Sequence, residues 1–534
     1  MNYRGYLDQP LESLLAMHGD SRQVINEETG LNKYWCSMSP RNDSTPFGSC
    51  TASSVSQIGY DAASRLLDRY RALSLNTDLS PVVSEHFRGI RSELNFLLCG
   101  HSQPDLDILL SPSGTDAELL ALAIAHSFGR SQVTNILIGP TEVGSGTPAA
   151  ASGLYFDTLT PAGNEVTKGA PINESMAENT ELVNVSLRHN DGSPRDEKEI
   201  DTEVEEIVEK RIANGNQVLL HVIAHSKTGL HAPTLQAVRR MKDKHGDQVL
   251  VIVDAAQGRF SRRGLKRACD EGHLVMITGS KFYGGPPFSG GLVVPQKACP
   301  PKEQLIDFPA EFSDFFTQDY FPDSWNHVTK NLPESGSTGL LLRWTAAIAE
   351  IRDYYATPSK LRFQVLRAFE SAVPDMLGDS PCIVLDEISE PIIGDDVERL
   401  LQSKKTVFPF YVKHANGKLM NYEELRKVWE WLNADLSTTM GQSVSPATRR
   451  DLAPRLHIGQ PVKLGSGEDA PAVLRVALGG VLLSRVAQDP EWGETYEDRE
   501  GFMADRLIAL KRKIEVISEL YTVLEHGGAV AKVG

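Results

Sequence analysis

The sequence predicts an α/β protein built on a largely parallel sheet with helices on both faces. Two observations carry that expectation. Short, continuous apolar runs bounded by turn residues recur at 106–110, 134–138, 218–224, 249–253, 274–277 and 291–294. Segments with apolar residues at helical spacing lie between them, most clearly 115–128. A strand buried on both faces reads as an unbroken apolar run rather than an alternating one. Such runs separated by helices are the pattern of parallel crossovers.

The chain has 534 residues, too many for one hydrophobic core. We divide it into an N-terminal arm (1–90), a large domain (91–340) and a smaller C-terminal α/β domain (345–534). Hydrophobic residues make up 41% and charged residues 23%, as in soluble globular enzymes. The net charge of −16 argues against nucleic acid or an anionic membrane surface as a partner. Six cysteines form no C-x-x-C pair and no disulfide framework, which suits a reducing, cytoplasmic setting. The first residues lack an apolar signal core, and no apolar stretch approaches the roughly 20 residues that cross a bilayer.

Taken in order, residues 1–90 look irregular, with a loop rich in Ser, Thr, Pro and Gly at 36–56 and a helix through 62–70. Residues 182–185 read as a strand. The segment 191–210 holds nine acids and three bases, and a solvated amphipathic helix explains it better than a binding tail. Residues 297–335 mix Pro, Phe, Asp and Trp without period and read as a long excursion. A helix follows from 340, then a mixed α/β tail.

The chemistry is carried by strand ends. Asp254 closes the run at 249–253, and Lys281 follows the run at 274–277. A carboxylate and an amine on successive strand ends are what pyridoxal 5'-phosphate (PLP) requires. The amine forms a Schiff base with the aldehyde, and the carboxylate keeps the pyridine nitrogen protonated so that the ring accepts electrons. Taken singly, Asp254 also reads as a loop cap and Lys281 as a solvated strand end. Ser113, Gly114 and Thr115 join a strand to a helix. A glycine there admits a ligand close to the backbone, and the amides and hydroxyls suit a phosphate. The plainer reading is an N-cap. Ala256 is small enough for a flat ring to lie against it, and Gln257 is placed to bond the ring's phenolic oxygen. Thr278 and Ser280 add phosphate donors, and Ser226 is placed to face the cofactor. Lys227 is a rival Schiff-base lysine with no hydroxyl cluster around it. His221, His225, His231 and His327 make no metal set; they read as core or loop histidines. No G-x-G-x-x-G follows a first strand, which excludes a dinucleotide-binding reading.

The ordered set formed by Ser113-Gly114-Thr115, Glu142, Ser226, Asp254-Ala255-Ala256-Gln257, Thr278-Gly279-Ser280-Lys281 and Arg475 resembles the fold-type I PLP enzymes. Within them it is similar to the class V aminotransferase and cysteine desulfurase group, over roughly residues 85–485. The resemblance implies a seven-stranded, mostly parallel sheet in the large domain and a homodimer with active sites at the interface. It implies that Ser337 or Thr338 donates to the partner subunit's phosphate; a second N-cap is the competing reading of those two residues. It also implies that Arg475 holds a substrate α-carboxylate with its two-pronged guanidinium. Read alone, a strand arginine is a surface ion pair.

Three departures narrow the activity. Ile458 stands where desulfurases carry the nucleophilic cysteine, so persulfide chemistry is not expected. The segment around Glu142 has no aromatic residue to stack on the ring. Ser280 replaces a histidine that often precedes the lysine. The expected function is therefore a PLP-dependent enzyme acting on an amino acid or small amine, aminotransferase-like. A lyase acting by β-elimination comes next and a decarboxylase third. A non-catalytic PLP-fold binding protein is the alternative from a different class.

Overall fold

The computed structural model describes residues 6–101, 103, 105–386, 404–440, 444–465, 467, 470–489 and 495–526. Among the described residues, twelve strands fall into two sheets. The first contains β2 (Leu106–Ser111), β3 (Val133–Ile138), β4 (Thr180–Val185), β5 (Gln217–Ile223), β6 (Val249–Asp254), β7 (Leu274–Thr278) and β8 (Gly290–Pro295). Its order is β2-β8-β7-β6-β5-β3-β4. Every residue of β3, β5, β7 and β8 is buried, which is why these strands read as unbroken apolar runs. The seven-stranded, mostly parallel sheet implied by the resemblance is thus present.

The direction of the strands positions the site. The pairs β4–β3, β3–β5, β5–β6 and β6–β7 are parallel, whereas β8 is antiparallel to both of its neighbours, β7 and β2. Strands β2, β5, β6 and β7 therefore end at one edge. Residues as far apart in sequence as Ser113, Ser226, Asp254 and Lys281 follow those ends. In open α/β sheets ligands bind outside the carboxyl ends of the parallel strands.

The second sheet has the order β1-β11-β12-β10-β9, with β1 (Ser44–Phe47), β9 (Ile383–Leu385), β10 (Val407–Val412), β11 (Arg455–Lys463) and β12 (Ala472–Ala477). Strand β1 lies in the segment that reads as loop in the sequence. It pairs parallel with β11 at the sheet's edge, where Pro46 is tolerated because one side of the strand needs no donor. The arm also holds two long helices, Gln57–Leu73 and Ser80–Cys99. The second, which the sequence reading left irregular, buries Val83, Phe87, Ile90, Leu94 and Leu97 on one face and stops at Gly100, whose φ is 82°. It runs across residue 90. The acid-rich segment forms the helix Glu197–Ala213, with Ile200, Val204 and Val208 buried, together with Asp201, which accepts from Thr234. Residues 297–335 form short 3-10 turns around packed aromatic rings.

A buried arginine ties the start of the arm to the loop after Lys281. Arg343, in the helix Thr338–Ala356, donates to the carbonyls of Leu15 (3.0 Å), Met17 (2.5 Å), His18 (3.2 Å) and Phe288 (2.6 Å). Phe288 belongs to the loop after Lys281 and has a φ of 69°, a left-handed conformation that a bulky side chain seldom adopts. Arg343→Met leaves these buried carbonyls without a donor. The expected result is a loss of about 3 kcal/mol in urea melts, with the arm becoming protease-sensitive first.

Candidate active site

Asp254, the last residue of β6, is half-buried, and its Oδ1 accepts from the Ala256 amide at 3.0 Å. Lys281 follows β7 on the neighbouring strand. Its Nζ has no hydrogen-bond partner among the described residues. Burial, the largest influence, drives the Lys281 amine below the ordinary lysine range. Asp254 pulls the other way, and Arg475 and Arg259 add to the lowering. An amine held toward its neutral form is a nucleophile.

Across the cleft, Ser113 caps the helix Gly114–His126. Its Oγ accepts from the amides of Thr115 (3.2 Å) and Asp116 (3.4 Å) and donates to Asp116 Oδ2 at 2.5 Å. The N-cap reading is therefore correct for Ser113 in this state of the chain. Gly114 is needed for close approach. A Cβ there would lie 3.3 Å from Met276 Sδ, 3.4 Å from Thr278 Cγ2 and 3.6 Å from Ala256 Cβ. Thr278 donates to the Ala256 carbonyl at 2.6 Å, and Ser280 is buried next to Lys281.

Arg22 of the arm reaches the same loop. Its Nη1 is 3.5 Å from Thr115 Oγ1 and its Nη2 3.4 Å from Ser113 Oγ. Asp20 grips it from the other side, with Nε–Oδ1 at 2.9 Å and Nη2–Oδ2 at 2.5 Å. The Phe288 and Phe156 rings flank it, their centroids 5.0 Å and 6.0 Å from the guanidinium carbon. Burial, with Asp20 nearby, pushes the Asp116 carboxyl up to about 7. A guanidinium, two hydroxyls and the start of a helix thus meet at one loop, group types that suit a phosphate, with the Thr115 and Asp116 amides already donating to Ser113 Oγ.

Several of the expected site residues bond other residues of the chain. Glu142 is buried and bonds Arg188 Nε (2.6 Å), Ser226 Oγ (2.5 Å) and Thr228 Oγ1. Glu142 and Ser226 thus satisfy each other. Arg188 also reaches Thr228 (2.9 Å), the Gly192 carbonyl (2.8 Å) and Asp386 (3.5 Å), tying the large sheet to the chain just after β9. Gln257 donates to the Cys50 carbonyl at 3.0 Å and accepts from Arg259 at 2.9 Å. Ser337 caps its helix, accepting from Leu340 N at 3.2 Å, and both it and Thr338 are buried within the chain. Ile458 is buried in β11.

Arg475 lies beside Lys227 and the arm. It donates to Gln460 O (3.1 and 2.7 Å), Lys227 O (3.1 Å) and Thr51 Oγ1 (2.9 Å). These four bonds leave one of its five N–H groups unspent. Lys227 Nζ is 3.4 Å from the Thr141 carbonyl. Burial foremost, then Arg475 and Lys281, bring its amine down to about 7. His221 is fully buried and His225 partly so, and burial brings both down to about 3. Among the described residues no cluster of His, Cys, Asp and Glu suits a metal.

Sequence reasoning missed Arg22, Asp20, Arg188, Arg259 and Glu118. Arg22 carries no local signal, since its loop partners lie more than 90 positions away. Glu118 had one, as an acid inside an apolar helix.

No family model matches this chain, and no curated protein matches it. Solved structures similar to it include a NifS-like protein, with 15% identity and a TM-score of 0.49 over 88% of this chain and 99% of that one. A cystine C-S lyase complexed with its product cysteine persulfide has 14% identity and a TM-score of 0.48, over 84% and 98%. The ureidoglycine-glyoxylate aminotransferase of Bacillus subtilis has 12% identity and a TM-score of 0.46, over 92% and 98%.

Two outcomes are expected here. Arg188→Met strands Glu142 as a buried, unpaired charge and lowers stability by about 3–5 kcal/mol, read in denaturant melts. Asp116 holds its proton in the folded chain up to about 7, against 3.8 for an ordinary aspartate. The native state therefore binds more protons, and stability falls as pH rises from about 4 to 7. Asp116→Asn should flatten that decline in melts recorded across the range.

Proposed function

We propose that the chain is a PLP-dependent enzyme acting on an amino acid or small amine, with aminotransferase-type chemistry as the leading activity. One observation carries this reading: a half-buried lysine amine with no hydrogen-bond partner among the described residues, next to a half-buried aspartate, on the ends of adjacent parallel strands. When bound, the pyridoxal ring supplies an electron sink for charge developing at the substrate Cα. Lys281 holds the aldehyde and, once released, moves the Cα proton as general acid and base. Asp254 keeps a proton on the pyridine nitrogen. Ala256, packed near Gly114, is the small side chain proposed to lie against the flat ring. Ser113, Thr115, Ser280 and Arg22 hold the phosphate, with Thr278 joining if its hydroxyl turns from Ala256.

Arg475 is the proposed anchor for the substrate carboxylate, through its unspent N–H and the place now taken by Thr51. A carboxylate held there disfavours its own loss and leaves the Cα–H bond to break. Elimination is the second reading, since the same residues would serve a substrate that carries a leaving group on Cβ. The protein is further read as a cytoplasmic homodimer acting at 91–340 and 345–534 together. The six cysteines are free, and among the described residues no helix is long and apolar enough to cross a membrane.

Titrating the yellow holoenzyme with single amino acids tests the activity. A lasting pyridoxamine spectrum supports transfer, a 2-oxo acid with ammonia and an unchanged cofactor supports elimination, and no spectral change with any amine defeats both. Arg22→Met should weaken PLP binding about 10- to 100-fold, the value of one charge-assisted contact, while leaving the affinity for phosphate-free pyridoxal unchanged. Equal losses for the two ligands would place Arg22 outside the phosphate site.

A further inference from the structure

The serine-rich loop of the arm and the helix Gly480–Gln488 form a cleft that shares no residue with the proposed PLP and substrate site. Arg41, Ser44 and Ser53 line it from the arm, and Val481, Leu482 and Arg485 from the helix. Phe282 and Gly284, from the loop after Lys281, line it as well.

The helix start has donors to spare. Gly479 is its N-cap and brings no side chain to the role. A Cβ at 479 would come within 2.7 Å of Ser49 Cβ, so packing against the arm keeps the usual capping residues out. The Gly480 amide donates to the Phe282 carbonyl at 2.5 Å, and the Leu483 amide to the Gly479 carbonyl at 3.0 Å. Between them, the Val481 and Leu482 amides have no acceptor among the described residues. Arg485 lies one turn on from Val481 on the same helix face, and helical side chains lean toward the N-terminus. It is half-buried, yet it makes no hydrogen bond or ion pair with any described residue.

The arm supplies two more unspent donors. Ser53 is only 9% exposed, and its hydroxyl has no partner among the described residues. The Ser44 hydroxyl is buried and equally unsatisfied. Buried hydroxyls without partners are rare, and these two line one cleft. Arg41 adds a second positive charge, spending bonds only on the carbonyls of Trp35 (3.5 Å) and Asn433 (3.2 Å). No carboxylate lines the cleft among the described residues. Glu350 is bonded by Ser56 and Asp43 by Arg455. His457, also in the lining, is kept neutral by burial, with Nε2 3.2 Å from the Tyr34 carbonyl.

Two amides, a guanidinium and two hydroxyls offer more donors, from more directions, than the two coplanar oxygens of a carboxylate accept. A tetrahedral oxyanion matches them. We propose that this cleft binds a phosphate group, free or carried on a small phosphomonoester, at a site separate from the cofactor's. The site does not depend on the PLP reading. It does border the loop that follows Lys281. The Gly480 amide holds Phe282, and a Cβ on Gly284 would meet Val481 Cγ2 at 2.3 Å.

The test is a titration of inorganic phosphate into the full-length protein, at fixed ionic strength, followed by 31P line broadening. The protein is first treated with PLP and borohydride, so that the cofactor's own phosphate fills its loop. The expected result is one saturable site. Arg485→Met should weaken it about 10- to 100-fold, and Ser53→Ala about tenfold. Arg22→Met should leave it unchanged. Ser53→Ala, which removes one oxygen from the arm, provides the comparison if Arg485→Met does not fold. O-phosphoserine in place of phosphate identifies the source: equal affinity assigns the free ion, tighter binding assigns a phosphorylated metabolite, and either supports the site. No saturable binding by the wild type, or binding that Arg485→Met and Ser53→Ala leave unchanged, would overturn the proposal.

Discussion

The arrangement depends on the cost of burying an amine. Lys281 is half-buried near Arg475 and Arg259, and the opposite charge acting most strongly on it is Asp254. Water would solvate a lysine far better than this cleft does, so the site favours its neutral form. The fold maintains that unfavourable position through the rigidity of β6 and β7, every residue of which is buried except Asp254 itself. A strained loop follows immediately, with Phe288 in the left-handed region and its carbonyl fixed by Arg343. Strain of this kind persists where surrounding contacts over-determine the backbone.

The N-terminal arm completes the site as much as the sheet does. Arg22 meets the Ser113–Thr115 loop, the Cys50 carbonyl receives Gln257, Ser49 receives Arg259 at 2.7 Å, and Thr51 receives Arg475. The arm also contributes β1 to the second sheet. It therefore bridges both sheets. The Glu142–Arg188–Asp386 chain is a second bridge on the far side of Ser226.

Much of the large sheet was legible because full burial on both faces leaves an unmistakable apolar run. The strand order was not legible; nothing local to 290–295 says that β8 inserts between β2 and β7. Asp254 and Lys281 were legible since a charged residue directly after such a run sits at a strand end. The roles of Glu142 and Ser226 were not, because a polar residue's sequence does not reveal whether it bonds a ligand or another buried side chain. Strand β1 was hidden by Pro46 and its short length. The helix Ser80–Cys99 carried a clear 3.6-residue pattern and could have been read from it. Glu118 likewise stood out by polarity alone, whereas Arg22 depends wholly on tertiary contacts.

The central claim is that the Lys281 amine is the group that holds PLP. Reducing the PLP-loaded protein with borohydride and mapping the modified peptide tests it most directly. The account predicts a single phosphopyridoxyl group on Lys281, with Lys227 unmodified despite its own depressed basicity. A modification on Lys227, or none on either lysine, would contradict it.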